Sequence, residues 1–210
     1  MKEIVLITGA NGSVAKNLSK LLQTDYDIRF LTRSKKKPNE FEWNIKDKTV
    51  DATAFQNVSH IIHLAGANVA EKKWSEERKK EIFSSRIDSA KLILETLKQN
   101  NFKIKSFISA SASGIYGDKT SEKIFDESGP YGNDFLAEVV KAWEAAADEF
   151  KNENMAGRVV KVRTPIVLAE DEGALKKMAI PVKLGIGAPL GSGRQYMPWV
   201  HIDDLRRMYK

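Results

Sequence analysis

Lys2-Glu3-Ile4-Val5-Leu6-Ile7-Thr8-Gly9-Ala10-Asn11-Gly12-Ser13-Val14-Ala15 is the stretch that decides the fold. An apolar, β-branched run leads straight into a glycine turn. A segment of helical period follows, with Val14, Leu18, Leu21 and Leu22 on one stripe. Strand, glycine turn and helix, in that order, are what holding a dinucleotide pyrophosphate demands. Gly9 permits the tight turn, and Gly12 lets the backbone approach the phosphates. The helix starting near Ser13 aims its free N–H groups and positive dipole end at them. Ala15 stands at the third position, small enough for the helix to pack closely on the strand. A lone Gly-x-x-Gly-x-x-Ala is a weak signal; its position between a strand pattern and a helix pattern makes it informative.

Outward from this stretch, strand and helix patterns alternate, which predicts a parallel sheet covered on both faces. Strands are predicted at Asp27–Thr32, around Phe41-Glu42-Trp43, at His60–Leu64, at Lys105–Ser109 and at Arg158–Arg163. A long helix is predicted from about Ser75 to Gln99, with Ile82, Phe83, Ile87, Ala90, Ile93, Leu94 and Leu97 as its buried stripe. Asp134 is placed to cap another helix, on which Phe135, Val139, Trp143, Ala146 and Phe150 share a face. Beyond it the elements shorten, punctuated by Gly185, Gly187, Gly191 and Gly193.

The chain has 210 residues, 42% hydrophobic and 30% charged, enough for one α/β domain with a sizeable core. There is no cysteine, which excludes disulfides and thiolate metal sites. No apolar run is long enough for a bilayer, and the Ile4–Ile7 run ends in the glycine loop rather than a cleavage site. The reading is therefore a cytoplasmic protein with no membrane contact. The net charge of +6 is spread along helices among Glu and Asp, except for Lys35-Lys36-Lys37. That cluster reads as solvated surface or a cofactor-phosphate contact rather than a nucleic-acid site.

In a dinucleotide fold the tip of the second strand reads the adenosine ribose: an acid there selects NAD, an arginine accommodates the extra phosphate of NADP. Here the tip is Leu31-Thr32-Arg33-Ser34, with no acid. Arg33 can pair with a 2′-phosphate, and Lys35 to Lys37 add positive potential. The alternative is a solvated basic turn.

Further segments then narrow the choice. They are Ile7–Gly12, Leu31-Thr32-Arg33, His63-Leu64-Ala65-Gly66, Ser84-Ser85-Arg86, Ser109–Gly117, Asp134–Glu138 with Trp143-Glu144, Gly191–Gln195 and Trp199–Leu205. With these the chain resembles an atypical short-chain dehydrogenase/reductase of the NAD-dependent epimerase/dehydratase superfamily, in the branch of "epimerase family proteins" (sugar-nucleotide epimerase-like), over essentially its whole length. The resemblance implies a Rossmann-type doubly wound parallel sheet with NADP(H) across the strand ends. Gly9, Asn11, Gly12, Ser13 and Val14 match the pyrophosphate loop, and Thr32 and Arg33 the adenosine-phosphate site. Leu64, Ala65 and Gly66 match the lip beside the cofactor, and Glu81 and Arg86 match helix positions facing it. Pro165 and Ile166 match the segment near the nicotinamide, although the family more often has Gly where Pro165 stands.

Typical superfamily members use Tyr-x-x-x-Lys on the helix after the Lys105–Ser109 strand: both side chains share a face, and the ammonium makes the phenol a better proton donor and acceptor. None of the five tyrosines (26, 116, 131, 196, 209) has Lys four residues on; the helix offers Phe135 and Val139 instead. The strand end keeps Ser109, Ser111 and Ser113, with Tyr116 behind. Ser111 is the candidate partner for a substrate hydroxyl and Tyr116 the candidate acid/base; alternatively the serines satisfy loop backbone and Tyr116 shapes a pocket wall. His60 and His63 alternate along a buried strand, so at least one reads as a satisfied core residue. His201 precedes Asp203 and Asp204, which suggests a metal cluster; the resemblance makes it a hydrogen-bonding corner instead, and no metal is expected. Trp43, Trp74, Trp143 and Trp199 read as core or pocket wall, and Trp143-Glu144 as packing plus a buried hydrogen bond.

Two functions remain open: an NADP-dependent oxidoreductase or epimerase-like activity on a small hydroxyl- or carbonyl-bearing substrate, nucleotide sugars included, and a catalytically silent NADP(H)-binding sensor or interaction module. The organisation expected is residues 1–170 as the NADP-binding domain and 171–210 as the start of a smaller, truncated substrate-side segment, since relatives in this branch are longer. The helix from Phe135 to Phe150 is where superfamily members often dimerise, so the resemblance also points to a homodimer.

Overall fold

A computed structural model of the chain describes residues 2–118, 122–170, 173–189 and 191–210. The elements in chain order are β1 (Ile4–Thr8), α1 (Ser13–Leu22), β2 (Asp27–Thr32), β3 (Glu40–Asn44), β4 (Thr49–Val50), β5 (Val58–His63), α2 (Glu76–Gln99), β6 (Ile104–Ala112), α3 (Phe135–Asn152), β7 (Ala156–Thr164), β8 (Ile166–Ala169), α4 (Gly173–Lys183), β9 (Trp199–His201) and α5 (Ile202–Met208).

Among the described residues, seven strands form one sheet in the order β4-β3-β2-β1-β5-β6-β7, and β8 and β9 form a separate parallel pair. Every neighbouring pair of the large sheet is parallel except β3–β4. The chain leaves β1 for β2 on one side and returns to β5 on the other. The strand order therefore reverses between β1 and β5, and a crevice opens outside their carboxyl ends. This is the predicted doubly wound α/β sheet.

The helices start and stop where their sequences say they should. Ser75 caps α2 by accepting from the Arg78 amide, and Asp134 caps α3 by accepting from those of Leu136 and Ala137. Asn101 and Asn154, just past the two helices, take the left-handed conformation that asparagine tolerates. One sheet face is buried under α2 and α3, where Leu6, Phe55, Ile61, Ile93, Phe107 and Phe150 pack; the Phe107 and Phe150 rings stack. On the other face Val5, Ile7, Leu18, Leu22 and Ile62 pack with Leu205 and Tyr209, which α5 brings onto α1. Position 171 itself lies outside the described residues.

Several expectations need correction. Phe83 is exposed: Ile82 faces inward, and a rotation of about 100° per residue turns the next side chain out. Phe135 is half-buried, edge-on to the exposed Trp74. Trp43 and Trp143 are core, whereas Trp74 and Trp199 are exposed. The strand predicted at Lys105–Ser109 runs on to Ala112, because alternating small residues pair with β7 along its whole length. The two-residue β4 is too short to leave a sequence signal. It returns antiparallel on β3, whereas the opposite edge of the sheet is the nine-residue β7.

Candidate functional site: the crevice at the strand ends

Thr8 ends β1 and His63 ends β5, so the glycine turn and the Leu64-Ala65-Gly66 lip leave the sheet side by side. Gly9 adopts φ +75°, and a Cβ on it would stand 3.0 Å from the Leu64 carbonyl oxygen and 3.3 Å from the Ala65 nitrogen. Both its backbone conformation and its neighbour require glycine. Gly12 is extended (φ −73°, ψ 150°) and donates to the Gly9 carbonyl at 2.8 Å, closing the turn. Gly12 is also the residue before α1; it has no capping side chain, and the first turn holds no acid. The positive end of α1 thus faces the crevice beside the exposed Asn11 and the half-buried Val14. Ser13 opens this first turn.

The lip is tied down by side chains. The Thr8 hydroxyl accepts from the Leu64 and Ala65 amides at 3.0 and 2.9 Å. Ser85 on α2 accepts from the Ala67 amide at 2.9 Å, and Arg86 donates to the Ala67 carbonyl and to the Ile82 carbonyl. The Arg86 guanidinium lies 5.0 Å from the centre of the Trp143 ring, and a Cβ on Gly66 would meet it at 3.0 Å. Among the described residues it has no carboxylate partner. Burial, with the Arg78 charge, pushes it down to about 10, so at neutral pH it stays charged. Glu81, by contrast, is occupied: it accepts from Arg78 at 2.6 Å.

At the β2 tip Thr32 is buried and Arg33 exposed, with no ion-pair partner for Arg33 among the described residues. The amides of Lys35, Lys36 and Lys37 donate to the carboxylates of Glu42 and Glu40, which fixes the lysine loop. Arg33 and Lys35 line a cavity of about 1190 Å³ between α2 and β3–β4, floored by Trp43, Ile45 and Leu92. Pro165 and Ile166 join β7 to β8, where the Ile166 amide donates to the Pro198 carbonyl at 3.2 Å.

The sequence candidates for chemistry lie in a second cluster, at the carboxyl ends of β6 and β7. Ser111 is buried and donates to Glu144 at 2.5 Å. Arg163, opposite Ser111 in the register, clamps both Glu144 oxygens, at 2.9 and 3.0 Å. It also donates to the hydroxyls of Tyr116 (2.9 Å) and Tyr131 (3.2 Å) and lies against both rings. Burial raises the Glu144 pKa, but the bonds from Arg163 and Ser111 outweigh it and hold the carboxyl below the ordinary range. Arg163 is shifted up, chiefly by its bond to Glu144. Tyr116 gives its own proton to the Asp126 carbonyl at 2.8 Å, whereas Tyr131 is exposed and has no acceptor among the described residues. Arg163 escaped the sequence reading, since an arginine ending a strand looks like solvated charge. The one signal was Trp143-Glu144, read as a buried hydrogen bond without its partner. His201 caps α5, accepting from the Asp203 amide at 3.2 Å.

His63 is wholly buried, and burial lowers its pKa from 6.5 to about 4. In acid the unfolded chain takes up a proton that the folded protein refuses. Stability is therefore level above about pH 6.5 and falls as pH drops toward the folded value. From pH 6.5 to about 5, above the carboxylate range, we expect urea unfolding to show a loss of about 1.5 kcal/mol. A His63→Asn variant should lose this slope; a parent protein equally stable at both pH values would contradict the assignment.

The family model described as "NAD dependent epimerase/dehydratase family" matches residues 5–210. A relative, the chloroplastic SDR39U1 homologue of Arabidopsis thaliana, an epimerase family protein, is 36% identical over 212 residues, covering 96% of this chain and 59% of its own. Among solved structures, a nucleoside-diphosphate sugar epimerase from Corynebacterium glutamicum superposes with a TM-score of 0.84 at 29% identity, over 100% of this chain and 43% of that one. The human epimerase family protein SDR39U1 (isoform 2), solved with NADPH, gives a TM-score of 0.81 at 29% identity, over 97% of this chain and 67% of that one. No helix among the described residues is long and apolar enough to cross a membrane.

Proposed function

Because this chain belongs to the NAD dependent epimerase/dehydratase family, we propose that it holds NADP(H) across the β1–β5 crevice and exchanges hydride with a small hydroxyl- or carbonyl-bearing substrate. The observation that carries the first half is the fit of the crevice to a dianionic pyrophosphate. It offers the bare start of α1, glycines at the points of closest approach, and in Arg86 a half-buried cation with no carboxylate partner among the described residues. Arg33, in a β2 tip whose own residues include no acid, and the lysine loop favour the 2′-phosphate form, with Glu42 of the neighbouring strand held by the Lys35 amide. The human relative solved with NADPH supports that choice.

When bound, the nicotinamide ring supplies or accepts the hydride. This chain's own part is to move the accompanying proton. Ser111 and Tyr116 have their protons engaged internally, by Glu144 and by the Asp126 carbonyl. Tyr131 is the exposed hydroxyl beside a fixed cation, and we assign it the proton. The engagement of Ser111 and Tyr116, with the missing Tyr-x-x-x-Lys pair, equally favours a second reading, an NADP(H)-holding sensor without turnover. The division at 170/171 into a dinucleotide-holding part and a substrate-side part belongs to this proposal.

Titration with NADPH and NADH, followed by a panel of carbonyl compounds read at the reduced-nicotinamide absorbance, tests both readings. Arg33→Asp should weaken NADPH by about 10- to 100-fold and leave NADH little changed. Unchanged NADPH affinity in that variant would refute the phosphate assignment. Tight binding without any turnover selects the sensor.

A further inference from the structure

Thr8, His63 and Ser89 form a buried line of side chains that the proposed chemistry does not use. Its hydrogens can be assigned by counting. The Thr8 oxygen already accepts from two amides, those of Leu64 and Ala65, so both its lone pairs are taken. Its single proton must then go to His63 Nδ1, 3.0 Å away. Nδ1 is therefore bare, and the neutral ring carries its proton on Nε2. Nε2 stands 3.1 Å from the Ser89 oxygen, whose own proton goes to the carbonyl of Ser85 (2.7 Å) or Arg86 (2.9 Å). Every donor has an acceptor, and the direction of each bond is fixed.

We propose that His63, as the Nε2–H tautomer, is the positioning residue of the crevice lip, an inference that rests on the dinucleotide reading of this crevice. Through Nδ1 it orients the Thr8 hydroxyl, and so holds the amides that set the Leu64-Ala65 backbone against Gly9. Through Nε2 it holds Ser89 and the turn of α2 that carries Ser85 and Arg86, the two residues that fix Ala67. One imidazole thus sets both the end of β5 and the helix that brings the Arg86 guanidinium to it. A proton on Nδ1 would confront an oxygen with no free lone pair, and Thr8 would have to release one lip amide.

The test uses the ¹⁵N-labelled full chain. We expect the His63 ring spectrum to show a bare Nδ1 and a protonated Nε2, and Thr8→Val to shift the Leu64 and Ala65 amides. In NADPH titrations, Thr8→Val and His63→Leu should each weaken binding at least tenfold. The double variant should bind no worse than the weaker single, because both cut one relay, and Thr8→Ser should restore the parent affinity. Changes that only loosened the core would lower stability without this non-additivity. A proton on Nδ1, or folded single variants that bind NADPH like the parent, would overturn the proposal. Should the parent not bind NADPH, the dinucleotide reading fails, and the ring and amide spectra still decide the relay.

Discussion

Replacing Gly9 with alanine should cost about 2 to 5 kcal/mol of stability and at least a factor of ten in NADPH affinity. Two separate effects add. At φ +75° an L side chain pays a conformational penalty of about 1 to 2 kcal/mol. The new methyl also meets the Leu64 carbonyl oxygen at 3.0 Å. That atom is backbone and cannot rotate away, so overpacking adds about 1 to 3 kcal/mol. Relief comes only by pushing the lip outward, which displaces the amides held by Thr8. Gly12→Ala is the control. Gly12 sits in extended backbone that any residue adopts, and its added Cβ would stand 3.2 Å from the Gly9 carbonyl oxygen. It should lose NADPH affinity with much less loss of stability. Urea unfolding and fluorescence titration of the two variants give the comparison, and equal stability losses would contradict it.

Glu144→Ala should be as damaging by a different route. It leaves the Arg163 guanidinium half-sheltered between two tyrosines with its carboxylate gone, and breaking such a pair from one side costs about 3 to 5 kcal/mol. Arg163 also binds the Glu127 carbonyl and both tyrosine hydroxyls. The loss should therefore spread to the connection from Asp126 to Tyr131, whose amides should exchange with solvent faster. Glu144→Leu combined with Arg163→Met removes both charges and should recover much of the stability while leaving the connection loose. If that pair of changes is as unstable as Glu144→Ala alone, the uncompensated charge is not the cause.

The sheet was legible because its signals are local. The Ile4–Thr8 run, the two glycines and the alternating pattern of strands and helices each act within a few residues. The glycine turn at the crevice was legible for the same reason, since Gly9, Gly12 and Arg33 belong to one strand–turn–helix and the strand beside it. Phe83 and Trp74 were misread because periodicity identifies an apolar stripe but not how much of it is covered. The cluster on Arg163 was illegible for a deeper reason. Ser111, Glu144 and Arg163 are contributed by three elements, and only the β6–β7 register brings Ser111 opposite Arg163. The tautomer of His63 was likewise hidden, because it depends on the bonds that Thr8 makes to a different strand end.

The two borders of the sheet bear on how the molecule avoids sticking to itself. A strand with one side unpaired is a template for another chain, and the danger grows with its length. At one border β4 offers only Thr49 and Val50, beside the charged Lys46 and Lys48. At the other, β7 is nine residues long and carries Arg158, Lys161 and Arg163. Lys161 and Arg163 pair with Asp148 and Glu144 of α3, so the exposed Arg158 is the charge that two copies approaching by that edge would set against its like. Brevity guards one border against fibre-like growth and the charge of Arg158 guards the other, so replacing Arg158 by an apolar residue would leave a nine-residue seam more open to aggregation.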